Sequence, residues 1–220
     1  NVLAITAGCA AGLLFKKGIP EKMGNSIMYG MALCVMYIGI SGALKGENVL
    51  IAVTSIAIGA VIGELIDIDK YINKIGQRLE DKFPGGKASG IAKGFVTSSL
   101  LYCVGAMAIV GSLQSGLTGN HETLFAKSLI DAITAVVLTA SMGIGVLFST
   151  AAVFIYQGSI TLLSGVVAPL LTNSVINEMT CVGSLLIIGL SLNMLKITNL
   201  KIMNYIPAVF IPIILSLFIK

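Results

Sequence analysis

Eight apolar runs alternate with polar stretches along the chain, at 2–15, 26–44, 49–66, 91–117, 124–147, 149–171, 178–195 and 205–219. A helix needs about 20 predominantly apolar residues to cross a bilayer. The pattern therefore predicts an all-α polytopic membrane protein with about eight transmembrane helices. The boundary between the fifth and sixth runs carries no polar loop. As one helix, the stretch from Leu124 to Leu171 would reach about 70 Å, about twice the bilayer core. The chain must turn, and Gly143, Gly145 and Ser149 are the expected place, because glycine permits the backbone angles of a tight turn.

The segment 67–83 reads differently. Ile68, Ile72, Ile75, Leu79 and Phe83 recur at helical spacing, with four acidic and four basic residues on the other face. This pattern predicts an amphipathic helix, ended by Pro84-Gly85-Gly86, that lies in the membrane interface or caps the bundle. The whole chain reads as a single membrane domain, 1–220: three runs in 1–66, the amphipathic loop in 67–90, two runs in 91–147 and three in 149–220.

Composition agrees with lipid as the solvent. The chain is 56% hydrophobic and 11% charged, against about 45–50% and about 25% in soluble domains. Twenty-four charged side chains among 220 residues cannot cover a soluble core of this size. The net charge of +4 is one-sided. With eight crossings, eleven cations fall on one side (Lys16, Lys17, Lys22, Lys70, Lys74, Arg78, Lys82, Lys87, Lys93, Lys196 and Lys201) and three on the other (Lys45, Lys127 and Lys220). Seven crossings would give nine and five. The positive-inside rule favours eight, with the amphipathic loop cytoplasmic and both termini outside. Such a charge pattern reports topology and gives no reason to expect nucleic acid. Asn1 opens a short first run, so a few residues are expected to precede it; no cleavable signal pattern is read there. Cys9, Cys34, Cys103 and Cys181 sit in apolar runs without a C-x-x-C pair, so neither a metal site nor a disulfide framework is expected.

The chain also offers an internal repeat, the alternative being chance similarity between glycine-rich apolar segments. A shift of 150 residues aligns Ile5 with Ile155, Gly8 with Gly158, Leu13 with Leu163, Gly39 with Gly189 and Ser41 with Ser191. Runs one to three would then repeat as runs six to eight. A displacement of five crossings inverts the second copy, a feature of many secondary transporters with a midplane site. Gly8-x-x-x-Gly12 and Gly59-x-x-x-Gly63 are small-residue faces that permit close helix packing or a homodimer.

Candidate chemistry is sparse. Asp131 is the carboxylate of the fifth run, two turns from its start, and Lys127 stands four residues earlier on the same face. Charge within a spanning helix is costly and usually functional. Two readings follow: a structural ion pair at the outer mouth, favoured by the helix N-terminus, or a cation or proton site or gate anchor. Gln157, beside Gly158, and Asn193 need partners at lipid depth. Gln114 falls near the outer end of the fourth run. Glu64 and Asp67 read as solvated, and His121 as non-catalytic. No nucleophile–base set, phosphate loop or metal motif appears, so neither an enzyme nor a cofactor is expected.

The stretch CVGAMAIVGSLQSGLTGNHETLFAKSLIDA from Cys103, MGIGVLFSTAAVFIYQGSITLLSG from Met142, and LLFKKGIPE and ISGAL near the start resemble a bacterial membrane-protein family catalogued as domain of unknown function 554. The likeness covers essentially the whole chain. It implies an integral protein of the bacterial inner membrane, in a family often labelled as transporters without an established substrate. Family-typical positions present here are Gly105, Met107, Gly111, Gln114, Gly116, Lys127, Ser128, Asp131, Gly143, Gly145, Gln157 and Gly158. The expectation is a transporter or channel for a small solute or ion. Its site would be built from Gln114, Asp131, Gln157, Lys127 and Ser128, with close backbone approach at Gly105, Gly111, Gly116, Gly143, Gly145 and Gly158. The rival expectation is a non-transporting sensor or assembly partner.

Overall fold

The computed structural model describes residues 1–16, 21–74 and 91–216. Among these the regular structure is entirely helical: α1 (Val2–Lys16), α2 (Glu21–Ala43), α3 (Val49–Ile66), α4 (Ile91–Cys103), α5 (Ala106–Thr118), α6 (Glu122–Met142), α7 (Ser149–Leu162), α8 (Ser164–Val167), α9 (Asn173–Met194) and α10 (Ile211–Leu215). Two 3-10 segments, Ile144–Phe148 and Ile202–Phe210, lead into α7 and α10. Among the described residues five helices are long and apolar enough to span a membrane: Asn25–Ala43, Val49–Ile66, Glu122–Met142, Ile144–Leu162 and Asn173–Met194. The α4–α5 pair makes a sixth if it is counted as one broken span, and Val2–Leu14 and Ile202–Leu215 are shorter apolar helices.

Several run boundaries move once packing is visible. The fourth run is two helices, bent by 59°. Val104 and Gly105 interrupt it, and Gly105 sits at φ 128, a conformation that a side chain disfavours. The fifth run stops at Met142, where Gly143 at φ 83 takes the chain out of the helix. The sixth run breaks after Leu162. The eighth begins as a 3-10 segment containing Pro207, with Pro212 following in α10. Proline lacks the N–H that an α-helix interior requires. Asp67, at φ 54, ends α3, and residues 68–74 form another helical stretch. Ile68 and Ile72 are half-buried there while Tyr71 and Lys74 are exposed. The rest of the expected amphipathic helix, and its Pro84-Gly85-Gly86 stop, lie outside the described residues.

The turn after α6 reverses the chain. The 26 residues from Asp131 to Gln157 would span about 39 Å as one helix. Yet the side-chain nitrogen of Asn1 reaches Asp131 at 2.8 Å and Gln157 at 3.1 Å. Two long helices with a common partner at that distance must lie side by side.

Glycine sets the closest approaches. Gly8 lies on the Ala132 backbone and Gly12 against Val136 and Thr139, so α1 runs parallel to the second half of α6. Gly59 meets Ala208 and Gly63 meets Asn204, so α3 runs antiparallel to the 3-10 segment Ile202–Phe210. Both G-x-x-x-G faces are therefore occupied within the chain. Gly39 and Gly42 seat α2 antiparallel on α9, at Ile188 and Ser184. At one end of the bundle Glu47 binds Ser174 and Asn177. At the other, Lys201 pairs with Glu64 at 3.7 Å and Asp67 at 4.0 Å.

The core gathers around α9. Most of its residues are buried, whereas α2 and α3 are largely exposed. Met179, Leu186, Ile187 and Leu190 pack there with Val35, Leu100, Ile109 and Ile202. The exposed apolar faces carry Leu33, Tyr37, Val53, Val61, Ile133 and Phe154. In water such faces would be a liability; in hydrocarbon they are the natural surface, because each helix satisfies its own backbone.

Candidate functional site

α6 presents Lys127 and Asp131 one turn apart on one face, which joins their side chains. Lys127 Nζ stands 3.0 Å from each Asp131 carboxylate oxygen. Lys127 is 7% and Asp131 3% exposed, so this is a buried pair and not a solvated one at a helix end. Because α6 begins at Glu122 and stops at Met142, Asp131 falls midway along it, deeper than a run ending at Leu147 implies.

Two further helices complete the cluster. Asn1, at the head of α1, donates its side-chain N–H groups to Asp131 Oδ2 and to Gln157 Oε1 on α7. Gln157 is buried, and among the described residues its Nε2 has no hydrogen-bond partner. Tyr102 on α4 is 1% exposed, shares a core cluster with Ile5, Cys9 and Ala135, and carries an unpartnered hydroxyl. Three elements thus bring one charge pair and two amides together midway along α6, with Tyr102 of α4 in the core cluster that holds Ala135 one turn on. Buried polar atoms are normally satisfied. Among the described residues Asn1 Oδ1, Gln157 Nε2 and the Tyr102 hydroxyl are not, so the cluster and its surroundings have donor and acceptor capacity to spare for water or a solute.

The other anticipated residues are placed elsewhere. Gln114 accepts a hydrogen bond from Thr123 at 2.8 Å and joins α5 to the start of α6, about 12 Å along α6 from Asp131. Ser128 donates to the Leu124 carbonyl of its own helix. Gly111 packs on Thr123 and Leu124, Gly116 on Thr161 and Ser164, and Gly145 on Ile91, whereas Gly158 has open space beside it. Gly105 and Gly143 are the two backbone breaks. Asn193 braces the loop after α9, accepting from Thr198 and from the Leu200 N–H and donating to the Leu200 carbonyl. His121 pairs with Ser115. Among the described residues no three His, Cys, Asp or Glu side chains gather as metal ligands.

Sequence reasoning missed Asn1, Tyr102 and Glu178. Glu178, 2% exposed on α9, accepts from the N–H groups of Glu47 and Asn48 at 2.7 Å each, and its second oxygen is unpartnered. The only local hint was the Glu-Asn pair before an apolar run, which marks a helix start; the carboxylate that holds it stands 130 residues away.

Comparison with known proteins agrees with this picture of a helical membrane protein. The chain is 32% identical over 216 residues to the uncharacterized membrane protein YdfK of Bacillus subtilis (strain 168), covering 96% of this chain and 91% of that protein. It is 27% identical over 220 residues to the uncharacterized protein YqgA of Escherichia coli (strain K12), covering 98% and 94%. No solved structure matches. The model of the family described as "Protein of unknown function (DUF554)" matches residues 1–217, and the chain belongs to that family.

Proposed function

We propose that the protein is a carrier or channel for a small solute or ion, with the Lys127–Asp131–Asn1–Gln157 cluster on its path. The observation that carries this reading is a charge pair buried midway along a membrane-spanning helix, bridged to an amide whose nitrogen is unpartnered. A purely structural pair needs no such spare capacity, and ionisable groups at this depth usually mark a path.

The wider architecture supports it. With the bent α4–α5 pair as one crossing and the two shorter apolar helices included, the reading has eight crossings. Lys201 beside Glu64 fits an even number of crossings between α3 and the α9 loop, as eight requires. Segments paired by the 150-residue shift, α2 with α9 and α3 with Ile202–Phe210, lie antiparallel on each other. Inverted repeats about an in-plane axis would meet in this way. The Lys201 end faces the cytoplasm of a bacterial inner membrane by the positive-inside rule.

The test is charge movement across proteoliposomes holding the pure protein, with cations, anions and amino acids offered in turn and Asp131→Asn as the control. A solute-dependent current lost in the variant supports the reading. Neither current nor isotope uptake for any solute would leave the sensor or assembly-partner alternative.

A further inference from the structure

The bend between α4 and α5 opens onto a cavity of about 250 Å³. Gly105 and Met107 line it at the bend, Lys127 on α6, Ser184 on α9, and the exposed Lys45 in the α2–α3 turn. Its polar lining carries two ammonium groups, which can only donate, and the hydroxyls of Tyr37, Ser41 and Ser184, which can donate or accept. Ser184 is 3% exposed, and its hydroxyl has no hydrogen-bond partner among the described residues. The N–H groups of Gly105 and Met107 have none either, and α5 starts without a side-chain cap. Lys127 has three ammonium donors, and its two contacts with Asp131 leave one for the cavity. Among the described residues no carboxylate lines it.

We propose that this cavity binds a small anionic group, a carboxylate or a phosphate, between Lys127, the Ser184 hydroxyl and the N–H groups at the start of α5. The positive end of the α5 dipole points at the same space as the two ammonium groups, and a low dielectric strengthens each of these attractions. The volume lies just under the usual range for ligand sites, which fits a group the size of a small dicarboxylate or a single phosphate. Lys127 then has two faces: one neutralises Asp131 and the other meets the anion. The inference names the chemical class of the proposed solute, and for transport it rests on that reading; binding does not.

Succinate and inorganic phosphate are the probes, added to the pure protein in neutral detergent, with sodium chloride at matched ionic strength as the control. The expected result is a saturable rise in unfolding temperature with either probe beyond the chloride control. Lys45→Gln should raise the half-saturating concentration by about 3–10-fold, a loss of about 0.7–1.4 kcal/mol. The double variant Lys127→Met/Asp131→Asn removes both charges together, so neither is left buried and unpaired; it should abolish the shift. If the double variant does not fold, Ser184→Ala and Lys45→Gln carry the test. Equal saturation in wild type and variants, or a shift that follows sodium whatever the anion, overturns the proposal. A shift produced only by phosphatidylglycerol in nanodiscs, and lost in the variants, keeps the anionic site and assigns it to a lipid headgroup. Anion binding without transport would retire the carrier reading alone; transport surviving with no anion effect would retire this site alone.

Discussion

Asp131 and Lys127 are a pair whose members cannot be removed singly without consequence. Deleting one partner of a buried ion pair leaves an uncompensated charge and costs about 3–5 kcal/mol, whereas replacing both by uncharged groups of similar size is often neutral. Lys127→Met and Asp131→Asn should therefore each lower the unfolding free energy. Asp131→Asn should do so less than the upper figure, because an amide can still bond Asn1. The double variant should recover most of the loss, as read by unfolding titrations in detergent. Additive losses would mean that the two charges do not see each other. The i,i+4 spacing made this contact visible in the sequence, because one helix turn is local geometry. Nothing local could show that Asn1 and Gln157, 156 residues apart, meet beside it. Gln114 is a related case: a polar side chain in an apolar run needs a partner, and a threonine nine residues away supplies one.

At the scale of helices, close backbone contact divides the glycines into two kinds. A Cβ on Gly12 would stand 2.8 Å from the Thr139 Cβ, while Gly158 has nothing within 4 Å. Gly12→Val should cost about 1–3 kcal/mol of overpacking, and Gly158→Ala should be neutral or slightly stabilising. Equal tolerance at both sites in thermal unfolding would contradict the parallel α1–α6 contact. The α2–α3 turn offers a pH test. Asn177 and then Ser174, hydrogen-bonded to Glu47, hold its carboxyl below the ordinary range. A depressed folded value contributes stability above the unfolded value of about 4.3, and that contribution is lost as the pH falls through the folded one. Asn177→Ala should thus be less stable than wild type at neutral pH, with the gap narrowing on acidification below about pH 4; a gap constant with pH would sink this account. The turn after Met142 was legible because several small residues cluster where no helix of the full length fits a bilayer. The bend at Gly105 was not, because apolar residues continue on both sides and periodicity does not register a change of direction.

The cations of the whole molecule are unevenly distributed, and the proposed orientation rests on that asymmetry. Lys70, Lys74, Lys93, Lys196 and Lys201 gather at the end where Lys201 meets Glu64 and Asp67. Lys45 stands at the opposite end, in the turn that Glu178 holds through the N–H groups of Glu47 and Asn48. The sequence alone left seven and eight crossings to be weighed by charge counts, and the two differ in the side on which Lys196 falls. Single cysteines answer the question in a background where Cys9, Cys34, Cys103 and Cys181 are replaced. We expect Lys45→Cys to react with a membrane-impermeant thiol reagent added outside intact bacteria. Lys74→Cys and Lys196→Cys should react only after the membrane is opened. Lys196 and Lys74 protected together is the outcome that eight crossings require, since an odd number between them would separate their labelling. Protection of Lys45 with exposure of the other two would keep the fold and invert the molecule. The anion-binding cavity would then open toward the cytoplasm, which would change the side from which its ligand arrives.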